Sequence, residues 1–149
     1  MKIKINILAL LFLLISSCNS KESIYKLLIR SPYECTHVFE FNKKGAVNYK
    51  VGLDNNSKSE FKNFQELFNS KNIIINKREE KRVDSIIKSI KFFKGKYVKD
   101  AFHYQLYVDE NLLIDSYGNQ SKSIDEIRSI IEKSYPKKID YHCDEFYKD

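Results

Sequence analysis

Cys35-Thr36-His37-Val38-Phe39-Glu40-Phe41-Asn42-Lys43-Lys44-Gly45-Ala46-Val47-Asn48-Tyr49-Lys50-Val51 is the stretch that decides the fold. Its apolar pattern has period two. Cys35, His37, Phe39 and Phe41 share one side, with Val38 and Glu40 on the other. Side chains alternate in this way only along a strand. Asn42-Lys43-Lys44-Gly45 supplies a turn, with glycine where a positive φ is needed. Val47, Tyr49 and Val51 then alternate against Asn48 and Lys50, so the stretch predicts a β-hairpin.

A second hairpin is expected further on. Phe102, Tyr104, Leu106 and Val108 alternate with His103, Gln105 and Tyr107, and Asp109-Glu110-Asn111 turns the chain into Leu112–Tyr117. Between the hairpins, Val83, Ile86, Ile87, Ile90 and Phe93 form one helical stripe. Residues 77–94 are therefore expected as a helix, with Asn76 and Glu79 as its capping pair and Gly95 at its end. A later helix carries Ile124, Ile127, Ile130 and Ile131, with Ser123 and Glu126 read as its cap and Pro136 beyond it. Phe61, Phe64, Leu67 and Phe68 have helical spacing and suggest a further short helix. Asn72 to Ile75 reads as a buried strand, and Ile139, Tyr141 and Cys143 as a last one. Ile24 to Ile29 fits helix or strand equally well. No repeated βαβ unit occurs. The expected class is α+β, an antiparallel sheet of two hairpins plus further strands, with two to three helices on one face.

The N-terminus carries an address. Lys2 and Lys4 precede an unbroken apolar run from Ile7 to Ile15, and Ser16, Ser17 and Cys18 follow at once. Nine apolar residues are too short for a helix across a bilayer, which needs about 20, but suit the apolar core of an export signal. Ile15-Ser16-Ser17-Cys18 resembles the bacterial lipobox. The resemblance covers this N-terminal segment alone. It implies diacylglyceryl transfer to the Cys18 thiol, cleavage before Cys18, and acylation of the new amino terminus. Residues 1–17 are then a signal peptide, 18–23 a lipidated cysteine with a short tether, and 24–149 a single globular domain. Two or more acyl chains make a stable anchor, whereas one binds reversibly. Asn19 stands where the enteric inner-membrane retention signal has Asp, which favours the outer membrane. Cys18-Asn19-Ser20-Lys21-Glu22 partly resembles the lysine-plus-acid surface-export signal of Bacteroidota lipoproteins. The expected location is the cell envelope, outer membrane, periplasmic or surface-exposed.

Cleavage leaves 132 of the 149 residues, and loss of Lys2 and Lys4 takes the net charge from +6 to +4. That length suffices for one core. The remaining lysines are interleaved with acids along the chain, a solvated surface and not the concentrated basic stripe of a nucleic-acid groove. The charged run Lys77-Arg78-Glu79-Glu80-Lys81-Arg82 reads as helix surface. Ten Tyr and ten Phe without Trp are assigned mainly to the core.

Export places Cys35 and Cys143 where a disulfide can persist, and each falls on the inward phase of its expected strand. A Cys35–Cys143 bridge is expected. The competing reading gathers Cys35, His37, His142 and Cys143 as a zinc set. Its spacing is poor, because adjacent strand residues such as His142 and Cys143 point to opposite faces. Bridge and zinc exclude one another, so no metal and no cofactor are expected. A Cys–His nucleophile lacks an orienting third group. His103 is expected on the polar side of its strand, and its spacing from Asp100 suits a helix face. Asp109, Glu110 and Asp115 read as hairpin acids, and Asp144-Glu145 as a solvated tail.

The four glycines, Gly45, Gly52, Gly95 and Gly118, cannot build a phosphate loop or a dinucleotide fingerprint. No Gly-x-Ser-x-Gly elbow or His-Glu-x-x-His motif is present. The reading is a non-enzymatic, lipid-anchored envelope protein that binds an unidentified protein or ligand and no nucleic acid. Its alternatives are an inhibitor or immunity-type lipoprotein, and a small enzyme or metal-binding module using His103 or Cys35, His37, His142 and Cys143.

Overall fold

The computed structural model describes residues 23–32, 35–54 and 64–143. The signal segment, Cys18 and Asp144-Glu145 lie outside them. The fold is α+β, as expected. Strands β1 (Ile24–Arg30), β2 (Cys35–Asn42), β3 (Ala46–Asp54) and β4 (Phe64–Ile74) precede helix α1 (Lys77–Ser89). The short β5 (Phe93–Lys94), then β6 (His103–Val108), β7 (Asn111–Tyr117) and helix α2 (Lys122–Ser134) complete the chain. One seven-stranded sheet has the order β4-β3-β2-β1-β6-β7-β5, and only the β5–β7 pair is parallel.

Both hairpins form. In the first, Phe39 pairs Tyr49 and His37 pairs Val51. Gly45 turns at φ 75°, its N–H donating to the Asn42 carbonyl. A Cβ there would lie 2.6 Å from the Ile75 carbonyl oxygen, so both the conformation and the space demand glycine. In the second, Asp109 and Glu110 both have positive φ, the pattern of a two-residue turn whose twist matches the flanking strands.

The ambiguous segment Ile24–Ile29 is the central strand. Leu27, Leu28 and Ile29 are all buried, because β1 lies between β2 and β6 and is covered on both faces. Tyr25, Leu27 and Ile29 join Phe39, Tyr49, Tyr104 and Leu106 on the face that receives Val83 and Ile87 of α1 and Ile124, Ile127, Ile130 and Ile131 of α2. The Tyr25 hydroxyl donates to Asp84 of α1 (2.7 Å), and Arg128 of α2 donates to the Tyr104 hydroxyl (3.0 Å).

Five local expectations are corrected. The helix suggested by Phe64, Leu67 and Phe68 is instead β4, and Phe61 lies outside the described residues. The backbone groups on the outer edge of β3 need partners, and β4 supplies them. Within the three isoleucines, Ile73 and Ile75 are buried while Ile74 is 72% exposed, so the run is half buried. Helix α1 begins at the Asn76 cap, whose side chain accepts from the Arg78 and Glu79 N–H groups, but it ends at Ser89. Ile90 is extended, and Phe93-Lys94 adds to the edge of β7 in place of a fifth helical turn closed by Gly95. Helix α2 is capped by Ser121, two residues before the expected Ser123. The last strand is absent. Residues 140–143 form a turn in which Asp140 Oδ1 accepts from the His142 N–H (3.0 Å), and Cys143 has φ 61°.

Candidate functional site

Two clusters of chemical side chains stand out, one on each face of the sheet. The first is buried. Cys35 and His37 are two residues apart on β2, so both project to the helix-backed face. The turn at Asp140 brings Cys143 to the same place, with Cα atoms of Cys35 and Cys143 6.3 Å apart and their sulfurs within bonding distance. That Cα separation lies inside the range of about 4.4–6.8 Å usual for disulfides.

His37 Nε2 lies 3.0 Å from Cys35 Sγ and 3.4 Å from Cys143 Sγ, while Nδ1 is 2.8 Å from the Tyr49 hydroxyl. The imidazole stacks on Tyr49 and tilts against Tyr141, at centroid distances of 5.9 and 5.0 Å. Burial pushes the His37 pKa down to about 4, against the opposing pull of the Tyr141 carbonyl and Asp140. The ring is therefore neutral at physiological pH.

The four-residue zinc set does not assemble. His142 is exposed, with its ring 5.3 Å from that of Phe102. Cys35, His37 and Cys143 do gather, all buried, with their ligand atoms within 4.8 Å of one another. A shallow depression of about 420 Å³, lined by Phe102, Tyr104, Arg128, Tyr141 and His142 among others, lies beside this cluster.

The second cluster sits on the face opposite the helices. Register places Arg30 beside His103, His103 beside Tyr117, and Gln105 beside Asp115. His103 Nε2 meets Asp115 Oδ1 at 2.5 Å and its ring stacks on Tyr117, centroids 4.4 Å apart. Arg30 donates to the Gln105 side-chain oxygen. Burial, helped by Arg30, lowers the His103 pKa although Asp115 opposes the shift. Burial likewise raises the Tyr107 and Tyr117 phenols. The partner of His103 is thus Asp115 and not Asp100, which occupies a left-handed turn position at φ 58°. Asp115 is more than a hairpin acid. Further charges on this face pair with one another, Glu40 receiving Lys26 at 3.2 Å and Lys50 at 3.7 Å.

Guanidinium, amide, imidazole, carboxylate and phenol on this half-buried sheet face supply hydrogen bonds and stacking surfaces. The fold and these clusters define a helix-backed antiparallel-sheet domain with one buried sulfur–imidazole centre and one polar, aromatic sheet face. No family model matches the chain, and neither does any curated protein or solved structure.

Proposed function

We propose that this is a non-enzymatic envelope lipoprotein, held to the membrane by lipid on Cys18, whose domain binds a protein partner through the half-exposed β6–β7 part of the sheet face opposite the helices. The observation that carries the reading is the cluster of Arg30, Gln105, His103, Asp115, Tyr107 and Tyr117 on that face. Tyrosine and arginine are the side chains enriched at binding hot spots, and cross-strand pairing holds them here on a rigid scaffold. An inhibitor or immunity-type role is the narrower form of the same reading. The bridge between Cys35 and Cys143 belongs to the proposal too, since it would lock the C-terminal turn to the sheet in an oxidising compartment.

Exposed Ile24 and Ile74 line a depression of about 500 Å³ at the end of the sheet where β1 begins. Ile24 follows Cys18 by six residues, so this apolar end faces the bilayer in the proposed arrangement and leaves the half-exposed His103 and Tyr117 available to a partner.

Two measurements test the proposal. Cys18→Ser is expected to abolish incorporation of labelled palmitate and to move the protein from the membrane to the soluble fraction. Unchanged labelling would remove the anchor. For the binding face, a photo-crosslinking residue at Tyr107 or Tyr117 in the full chain is expected to give a discrete adduct in cells, and one at Lys81 on α1 none. Adducts at Lys81 alone, or at no position, would reject the sheet face as the interface.

A further inference from the structure

The buried sulfur–imidazole centre has a ligand set that the disulfide hides. We propose that, once the Cys35–Cys143 bridge is reduced, Cys35 Sγ, Cys143 Sγ and His37 Nε2 together bind one thiophilic d10 cation, monovalent copper or zinc. The proposal concerns the centre on the helix-backed side of the sheet and does not depend on an interaction at the opposite face.

The donor types come first. Thiolate is the ligand that selects Cu(I) and zinc over harder ions, and imidazole suits both. The geometry comes next. Two thiolates on tetrahedral zinc lie about 3.8 Å apart, and a thiolate and an imidazole nitrogen somewhat closer, from metal–ligand bonds of about 2.3 and 2.0 Å. His37 Nε2 is already 3.0 and 3.4 Å from the two sulfurs. The sulfur–sulfur separation must grow most, and the Nε2–Cys35 Sγ distance by about 0.5 Å, to reach the roughly 3.5 Å that these bond lengths give. Cys143 belongs to a turn, where rotation of a side chain disturbs no strand pairing.

The histidine is also oriented from behind. His37 Nδ1 is 2.8 Å from the Tyr49 hydroxyl; in the tautomer whose Nδ1–H donates to that oxygen, Nε2 turns its lone pair to the sulfurs. Such a hydrogen bond to the distal nitrogen is what fixes tautomer and ring angle in metal-binding histidines. Tyr49 sits on β3 and is itself buried against Phe39, with stacked rings 4.6 Å apart. The buried, aromatic surroundings favour a three-coordinate copper centre, since water has little room to complete a larger shell. Zinc would recruit a fourth ligand.

The chemistry balances with a thiol reductant. Two thiols, or one dithiol, give up two electrons and two protons to the bridge, yielding a new disulfide and the Cys35 and Cys143 thiols. Binding the cation then releases both thiol protons, leaving two thiolates and a neutral imidazole on the metal. The oxidised protein has no thiolate to offer, so metal binding is gated by redox state. The depression lined by Tyr141 and His142 gives the reductant an approach from the Cys143 side.

The test uses the full mature chain, reduced and freed of reductant under nitrogen. Cu(I) supplied from a chelator buffer, and Zn(II) in a parallel arm, are each titrated into reduced and oxidised protein. One equivalent per chain is expected to bind to the reduced form in at least one arm and none to the oxidised form. X-ray absorption on the loaded protein should show two sulfur neighbours and at least one nitrogen. His37→Gln is expected to weaken binding at least tenfold while His142→Ala leaves it unchanged. Equal uptake by the oxidised protein, a shell without sulfur, or loss of the native amide spectrum on reduction would overturn the proposal. If His37→Gln fails to fold, the absorption spectrum of the wild-type centre decides.

Discussion

Cys35→Ser/Cys143→Ser is expected to lower the stability of the domain by about 4.7 kcal/mol, the chain-entropy value for a loop of about 100 residues. The two cysteines are 108 positions apart in sequence, so the bridge closes nearly the whole domain. Its effect falls on the unfolded chain. A cross-link joining β2 to the turn beyond α2 removes the widest excursions of that ensemble while leaving native contacts almost unchanged. With a urea slope of about 2 kcal/mol/M, the unfolding midpoint should fall by roughly 2 M. Stabilities of small domains are about 5–15 kcal/mol in total, so this one bond carries a large share. The measurement is urea denaturation of the variant beside the oxidised wild type. A difference below about 1 kcal/mol, or two titratable thiols in the untreated protein, would show that the bridge is not part of the native state. Reduction of the wild type should reproduce the loss, and a cation bound at the reduced centre should recover part of it by mass action.

Alternation is legible wherever polar side chains recur at every second position, as in β2, β3, β6 and β7, even though Thr36, Val38 and Gln105 on that second face are themselves buried. β1 lacks it, because Leu27-Leu28-Ile29 is buried on both faces and a fully apolar run has no period to read. β4 failed for a different reason. Its pairing with β3 slips at Val47/Asn48 and again at Val51/Gly52. Each bulge shifts the phase of the alternation, and the apolar residues of β4 then fall at spacings that mimic a helix. Gly52 compounds this, since its missing Cβ lets Phe64 and the Gln65 carbonyl close over β3, a contact that no local pattern announces.

The functional clusters divide along the same line. Cys35 and His37 share a strand, and their two-residue spacing shows that they face one way. Cys143 reaches them from a turn held by the Asp140 side-chain hydrogen bond, where strand alternation does not apply. Strand phase nonetheless sets His142 apart from Cys143, and the turn leaves His142 exposed. The His103–Asp115 pair depends on cross-strand register. The short turn at Asp109-Glu110 sets that register, with Gln105 opposite Asp115, so His103 reaches the acid diagonally. Counting residues along one strand shows only that Asp100, three positions away, does not share the face of His103.

His37 should make the oxidised, metal-free domain markedly sensitive to acid. It is fully buried, and its pKa is about 4 against 6.5 in an unfolded chain. As pH falls below 6.5 the unfolded chain therefore takes up this proton before the native state does. Stability is then full above pH 6.5, declines as pH falls towards 4, and changes no further once both states are protonated. A difference of about 2.5 pH units corresponds to about 3 kcal/mol. Surface carboxylates titrate across part of the same range, so the contribution must be isolated by difference. Urea midpoints at pH 7 and pH 4 for wild type and His37→Gln provide it. The glutamine removes the titrating ring while keeping a polar group near the Tyr49 hydroxyl. Wild type should lose about 3 kcal/mol more than the variant between the two pH values, and parallel losses would mean that water reaches the imidazole in the folded state. The buried ring is neutral in this account well above pH 4. That is also the form whose nitrogen lone pair the reduced centre needs for a cation. The desolvation that weakens the protein in acid thus keeps the ligand ready at neutral pH.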